Sequence, residues 1–160
     1  MDRVTSGSDL IGPLSYAFQP IVQARTGHCF GYEALLRGHE QAGFASIADV
    51  FDSAYRDRRM FPLECALRDL AMRQFAKIPH HRSTRLFLNV DPRLFEMPDY
   101  RPSATVDLVE HHGLKPEAVS FEICEQTELR LTEQTERILE AYRTAGFHVA
   151  IDDFGVGFAG

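Results

Sequence analysis

The sequence predicts an α/β fold of the (β/α) barrel kind, and three features of the 160-residue chain carry that prediction. Two apolar stretches, residues 16–22 and about 28–37, are separated by the turn Ala24-Arg25-Thr26-Gly27. Parallel neighbours need a crossover of about a dozen residues or more, so this pair must be antiparallel. From Ser46 onward, helical and strand patterns alternate, which implies a parallel sheet with right-handed crossovers. Finally, the short apolar strands end in polar residues, as in barrels, whose chemistry gathers at the C-terminal ends of the strands. An open doubly wound sheet shares that rule, but no glycine-rich phosphate loop follows the first strand.

Residues 1–13, with Ser6-Gly7-Ser8 and Gly12-Pro13, read as a flexible lead-in or linker, and residues 14–160 as the domain. Pro20 cannot donate to a ladder, so the first strand is expected to be an edge or irregular there. Ile47, Val50, Phe51 and Ala54 recur at helical spacing behind the capping pair Ser46 and Asp49. A second helix is predicted over about 62–77, with Pro62 in its first turn, Leu63, Ala66, Leu67, Leu70 and Ala71 on one face, and Pro79 beyond its end. Strand 85–90 closes on Asp91-Pro92. Helix 104–112 ends at Gly113, strand 119–124 follows, helix 132–145 stops at Gly146, and strand 147–152 completes the set.

Composition narrows the class. A net charge of -6 and a pI near 5.6 argue against duplex nucleic acid as the main partner, which calls for a basic surface. Cys29, Cys65 and Cys124 are odd in number and form no C-x-x-C, the pattern of reduced core thiols. The sequence shows no signal peptide and no apolar run of membrane-spanning length, so the expected location is the cytoplasm.

The strand ends form a constellation. Glu33 and Arg37 lie four apart on the second strand, hence on one face and roughly 13 Å apart. Asn89 closes the third strand, Glu122 follows Phe121 in the fourth, and Asp152 and Asp153 end the fifth. A buried strand ending in two adjacent carboxylates is costly unless a cation or a shared proton offsets their repulsion. A turn with solvated aspartates is the plainer reading of that pair alone. Four strand ends that each offer oxygen, with no His or Cys among them, suit Mg²⁺ or Mn²⁺ rather than Zn²⁺, and such a site suits phosphate chemistry. Glu33 and Glu122 could also be read as a glycosidase acid/base pair. Asn89 and the Asp pair favour metal.

Five motifs in order then carry a resemblance: Gln19-Pro20-Ile21-Val22, the segment from Glu33-Ala34-Leu35 to Arg37, Leu88-Asn89-Val90, Glu122-Ile123-Cys124-Glu125, and Asp152-Asp153-Phe154-Gly155-Val156-Gly157. The chain resembles the EAL domain of cyclic di-GMP phosphodiesterases. The resemblance implies a modified TIM barrel with an antiparallel first strand, here incomplete at about five of eight strands. It implies that Glu33, Asn89, Glu122 and Asp152 bind metal, with Asp153 serving the second of two Mg²⁺ or Mn²⁺ ions. Arg37 would hold a phosphate, Gln19 would sit near the substrate, and Glu125 would brace the loop after Asp153. Glu33, Asp152 and Asp153 would be catalytic, and the reaction would be hydrolysis of cyclic di-GMP to linear pGpG.

Departures from the family pattern include Cys124 in place of Thr, Asp91 in place of Ser, and Val156 and Phe158 in a loop that the family uses in metal binding and dimerisation. A full domain needs about 250 residues. The family's sixth to eighth strands, with a catalytic-site lysine, a further metal-site glutamate and a glutamine, have no counterpart here. An open edge invites pairing, so the chain alone is expected to be inactive and to dimerise, aggregate or be a fragment. A homodimer and an upstream sensory or regulatory domain are the expected partners beside cyclic di-GMP. The alternative function is a non-catalytic cyclic di-GMP receptor or interaction module. His80-His81 and His111-His112 are expected to be solvated histidines near helix C-termini.

Overall fold

A computed structural model describes residues 11–124 and 132–152. Its strands are β1 (Ser15–Val22), β2 (Cys29–Arg37), β3 (Arg85–Val90), β4 (Val119–Cys124) and β5 (His148–Asp152). Among the described residues they are accompanied by the α-helices α1 (Ile47–Arg56), α2 (Met60–Phe75), α3 (Ser103–His111) and α4 (Glu133–Ala145). The strands form one sheet in chain order, β1-β2-β3-β4-β5, with β1 antiparallel to β2 and every later pair parallel.

This is the architecture the hairpin and the alternation predict. Pro20 falls on the edge strand, and the register shifts between Ile21 and Val22. Ser46 caps α1 by accepting from the Asp49 amide at 3.2 Å, and Thr132 caps α4 by accepting from the Thr135 amide at 3.1 Å. Gly146 ends α4 at φ +98°, a conformation that favours glycine. The start of α2 differs from expectation: it begins at Met60, and Pro62 sits in the first turn, where a missing N–H costs nothing. Short 3-10 turns over Pro92–Glu96 and Pro116–Ala118 lie where the sequence suggests only loop.

Period-two alternation divides the sheet. Leu86, Leu88 and Val90 of β3 and Val119, Phe121 and Ile123 of β4 are buried against Met60, Ala71, Met72 and Phe75 of α2, Val109 of α3, and Ile138 and Tyr142 of α4. Ala34 joins the same core from β2. The intervening residues, Glu33, Phe87, Asn89, Ser120 and Glu122, therefore belong to the other face. No helix among the described residues is long and apolar enough to cross a membrane.

The strands approach closely at Gly31. A Cβ there would lie 2.5 Å from the Arg85 carbonyl oxygen and 2.7 Å from Cε2 of Phe87. Backbone cannot yield as a flexible side chain can, so Gly31→Ala should destabilise the fold by about 1–3 kcal/mol. Denaturant unfolding measures this, and an unchanged midpoint would contradict the close β2–β3 packing.

Candidate functional site

The sheet register decides which predicted residues meet. Gln19 on β1 stands opposite Glu33 on β2. Glu33 is in register with Phe87, so Asn89 lies two residues farther along β3 on the same face. Asn89 is directly in register with Glu122 on β4, and adjacent strands are about 4.8 Å apart. Asp152 on β5 is in register with Cys124, two residues on from Glu122. Glu33 at the middle of β2, Asn89 next to the last residue of β3 and Glu122 two residues before the end of β4 thus occupy three consecutive strands.

One contact joins them. Asn89 donates Nδ2 to Oε1 of Glu33 at 3.1 Å. With its nitrogen committed there, Asn89 has its carbonyl oxygen left as an acceptor for a cation, next to two carboxylates. The described part of the constellation is an all-oxygen donor set, which fits a hard divalent ion. Among the described residues no three His, Cys, Asp or Glu side chains converge, and the carboxylates here number two, Glu33 and Glu122, with the Asn89 amide on the strand between them. Asp153 and Glu125 lie outside the described residues, and of Asp152 the backbone placement alone is described. Arg37 is exposed at the end of β2 and donates Nη1 to the neighbouring Leu36 carbonyl at 2.8 Å.

The loop after Asn89 is pinned by charges, with Asp91, which stands where the family commonly has Ser, at their centre. The Asp91 carboxylate accepts from the Arg93 amide at 3.0 Å, which caps the 3-10 turn. The Arg93 side chain returns a bidentate pair to Asp91, with Nε–Oδ1 at 3.0 Å and Nη2–Oδ2 at 2.6 Å, and reaches Asp52 of α1 at 2.7 Å. Its guanidinium also lies over the Tyr55 ring. Hydrogen bonding to Asp91, opposed by partial desolvation and aided by Asp52, raises its pKa above the ordinary arginine value. The signal in the sequence is the Asp91-Pro92-Arg93 spacing right behind a strand.

The histidine expectation is corrected at two positions, and at the first of them His81 is half-buried, with Nδ1 3.0 Å from the Ile78 carbonyl oxygen and its ring edge-on to Phe75. His112 Nε2 lies 2.8 Å from Asp69 Oδ1, so it is tied to α2 rather than solvated. A concavity of about 730 Å³ lies at the opposite end of the sheet, against Phe30, Thr84 and Ala118. Its lining includes none of Glu33, Asn89 and Glu122.

Comparison with known proteins agrees with this geometry. The EAL domain model matches residues 10–160. The chain belongs to the EAL domain family. A cyclic di-GMP phosphodiesterase of Pseudomonas aeruginosa is 32% identical over 98% of this chain, which spans 27% of that protein. Two solved structures are similar in fold. The PaMucR phosphodiesterase in complex with c-di-GMP has a TM-score of 0.74 at 25% identity, over 92% of this chain and 63% of that one. Klebsiella pneumoniae BlrP1, solved as a manganese/cy-diGMP complex, has a TM-score of 0.72 at 28% identity, over 92% and 36%. The five-stranded sheet with its antiparallel first strand is therefore an EAL-type arrangement.

Replacing Arg93 by Met keeps its apolar stem and removes both carboxylate contacts. Arg93→Met should cost about 1 kcal/mol, the upper end for a partly exposed pair with bidentate geometry. Thermal unfolding with and without Asp52→Asn reads the coupling, and additive effects of the two substitutions would contradict the shared contact.

Proposed function

We propose that this EAL chain carries the metal-binding half of a cyclic di-GMP phosphodiesterase that yields linear pGpG. The observation that carries the reading is the junction at Asn89, which donates to Glu33 while standing in register with Glu122. In this reading Glu33, Asn89, Glu122 and Asp152 hold Mg²⁺ or Mn²⁺, and Asp153 serves a second ion. Such ions, when bound, polarise a phosphoryl oxygen and lower the pKa of attached water.

The chain's own groups supply the rest. Arg37, with four further N–H donors beyond the one given to Leu36, takes a phosphate oxygen of the ligand. Gln19 faces the same ligand from the position opposite Glu33. Glu125 braces the loop that follows Asp153. The described sheet has edges at β1 and β5, and the chain spans 63% of the PaMucR phosphodiesterase chain. On this reading full activity belongs to a closed barrel, and these 160 residues alone are inactive.

The test is turnover of cyclic di-GMP by the full-length protein in Mn²⁺, with Glu33→Ala as control. Wild type should hydrolyse the dinucleotide and stop in EDTA, and the variant should lose about 100-fold or more, at or beyond the upper end for disturbed metal sites. Binding in EDTA with no turnover in Mn²⁺ would identify a receptor instead. Undiminished hydrolysis by Glu33→Ala would overturn the ligand assignment.

A further inference from the structure

Beneath the helix-facing side of the sheet lies a charged pair that the site chemistry does not use. Glu64 and Arg68, one turn apart on α2, are only 3% and 4% exposed, and Arg68 Nε meets Glu64 Oε2 at 3.3 Å. Arg68 Nη1 donates to Thr105 Oγ1 of α3 at 2.5 Å and to the Tyr142 hydroxyl of α4 at 2.8 Å. The Tyr142 hydroxyl is hydrogen-bonded in turn to that of Tyr100. The guanidinium carbon is 4.9 Å from the centroid of Phe121 on β4, and Tyr142 stacks on the same ring at 4.7 Å.

Stability alone does not account for this arrangement. Exchanging a buried ion pair for well-packed apolar groups is often neutral or favourable, because both ions must be desolvated. Here the cost is visible, since Glu64 Oε1 and Arg68 Nη2 have no hydrogen-bond partner among the described residues. Burial pushes the Glu64 carboxyl up, against the pull of Arg68. A rigid guanidinium does what an aliphatic side chain cannot, which is to fix the direction and distance of groups on separate elements.

Those elements lead to the site. Phe121 precedes Glu122 and is in register with Leu88, which precedes Asn89. Any rotation or slip of β4 against the helices would therefore carry Glu122 away from Asn89, and metal sites lose function at displacements of about 0.5 Å. We propose that Arg68, held by Glu64, is a positioning residue that sets Glu122 against Asn89 by fixing Phe121 to α2, α3 and α4. This inference rests on the metal-site reading given above.

The experiment measures the Mn²⁺ dissociation constant of the full-length protein by calorimetry, beside its melting temperature. In the double variant Glu64→Leu with Arg68→Met the fold should persist and Mn²⁺ should bind about 10-fold more weakly, the lower bound for disturbed supporting groups. Tyr142→Phe, which removes one acceptor and keeps the charge, should melt near wild type and weaken Mn²⁺ by a smaller factor. A double variant that folds and binds Mn²⁺ within twofold of wild type would overturn the proposal. If the double variant fails to fold, Tyr142→Phe decides, and unchanged Mn²⁺ affinity there overturns it. A shift in melting temperature with unchanged affinity shows a structural role only and also counts against it. Wild type that binds no Mn²⁺ would remove the metal-site reading itself and this inference with it.

Discussion

The parallel register of β3 on β4 is the constraint on which the rest depends. Leu86, Leu88 and Val90 alternate with Phe87 and Asn89, and Val119, Phe121 and Ile123 alternate with Ser120 and Glu122. Because the first set on each strand is buried against the helices, a slip of one residue would turn apolar groups out and Asn89 or Glu122 in. Core burial thus fixes the direction of the polar residues without contacting them. The hairpin extends the same logic to β1, where the antiparallel register sets Gln19 opposite Glu33.

Charge is handled differently on the two sides of the sheet. On the site side, Asn89 separates two carboxylate-bearing strands and gives an N–H to one of them, which moderates repulsion while leaving oxygen available. On the helix side, a guanidinium is desolvated and shared among α2, α3 and α4, and an aromatic ring of β4 lies under it. A third cluster, Asp91 with Arg93 and Asp52, ties the loop behind Asn89 to α1. The strand that bears Asn89 is therefore held from both its helix face and its outgoing loop.

Much of this was legible in the sequence. The four-residue turn at 24–27 dictated the hairpin, helical periodicity located the helices, and polar residues at strand ends located the constellation. The unpredicted parts share a cause: they depend on contacts distant in sequence. Glu64 and Arg68 have the i, i+4 spacing of an ordinary surface pair, and only their place in the stripe with Met60, Leu67, Ala71 and Phe75 hints at burial. Asp91 reads as a turn residue until Arg93 and Asp52 are seen around it, and His112 as a solvated helix end until Asp69 is seen beside it. Pro62 marks the first turn of α2 but not its first residue, since any early position tolerates a missing N–H.

The proposed metal site draws one side chain from each of β2, β3, β4 and β5. Anomalous diffraction from crystals of the full-length protein grown with Mn²⁺ tests it most directly. An anomalous peak ligated by Glu33, Asn89, Glu122 and Asp152, at bond lengths of about 2.0–2.3 Å, is the expected result. A peak elsewhere, with these four side chains unligated at saturating Mn²⁺, would contradict it.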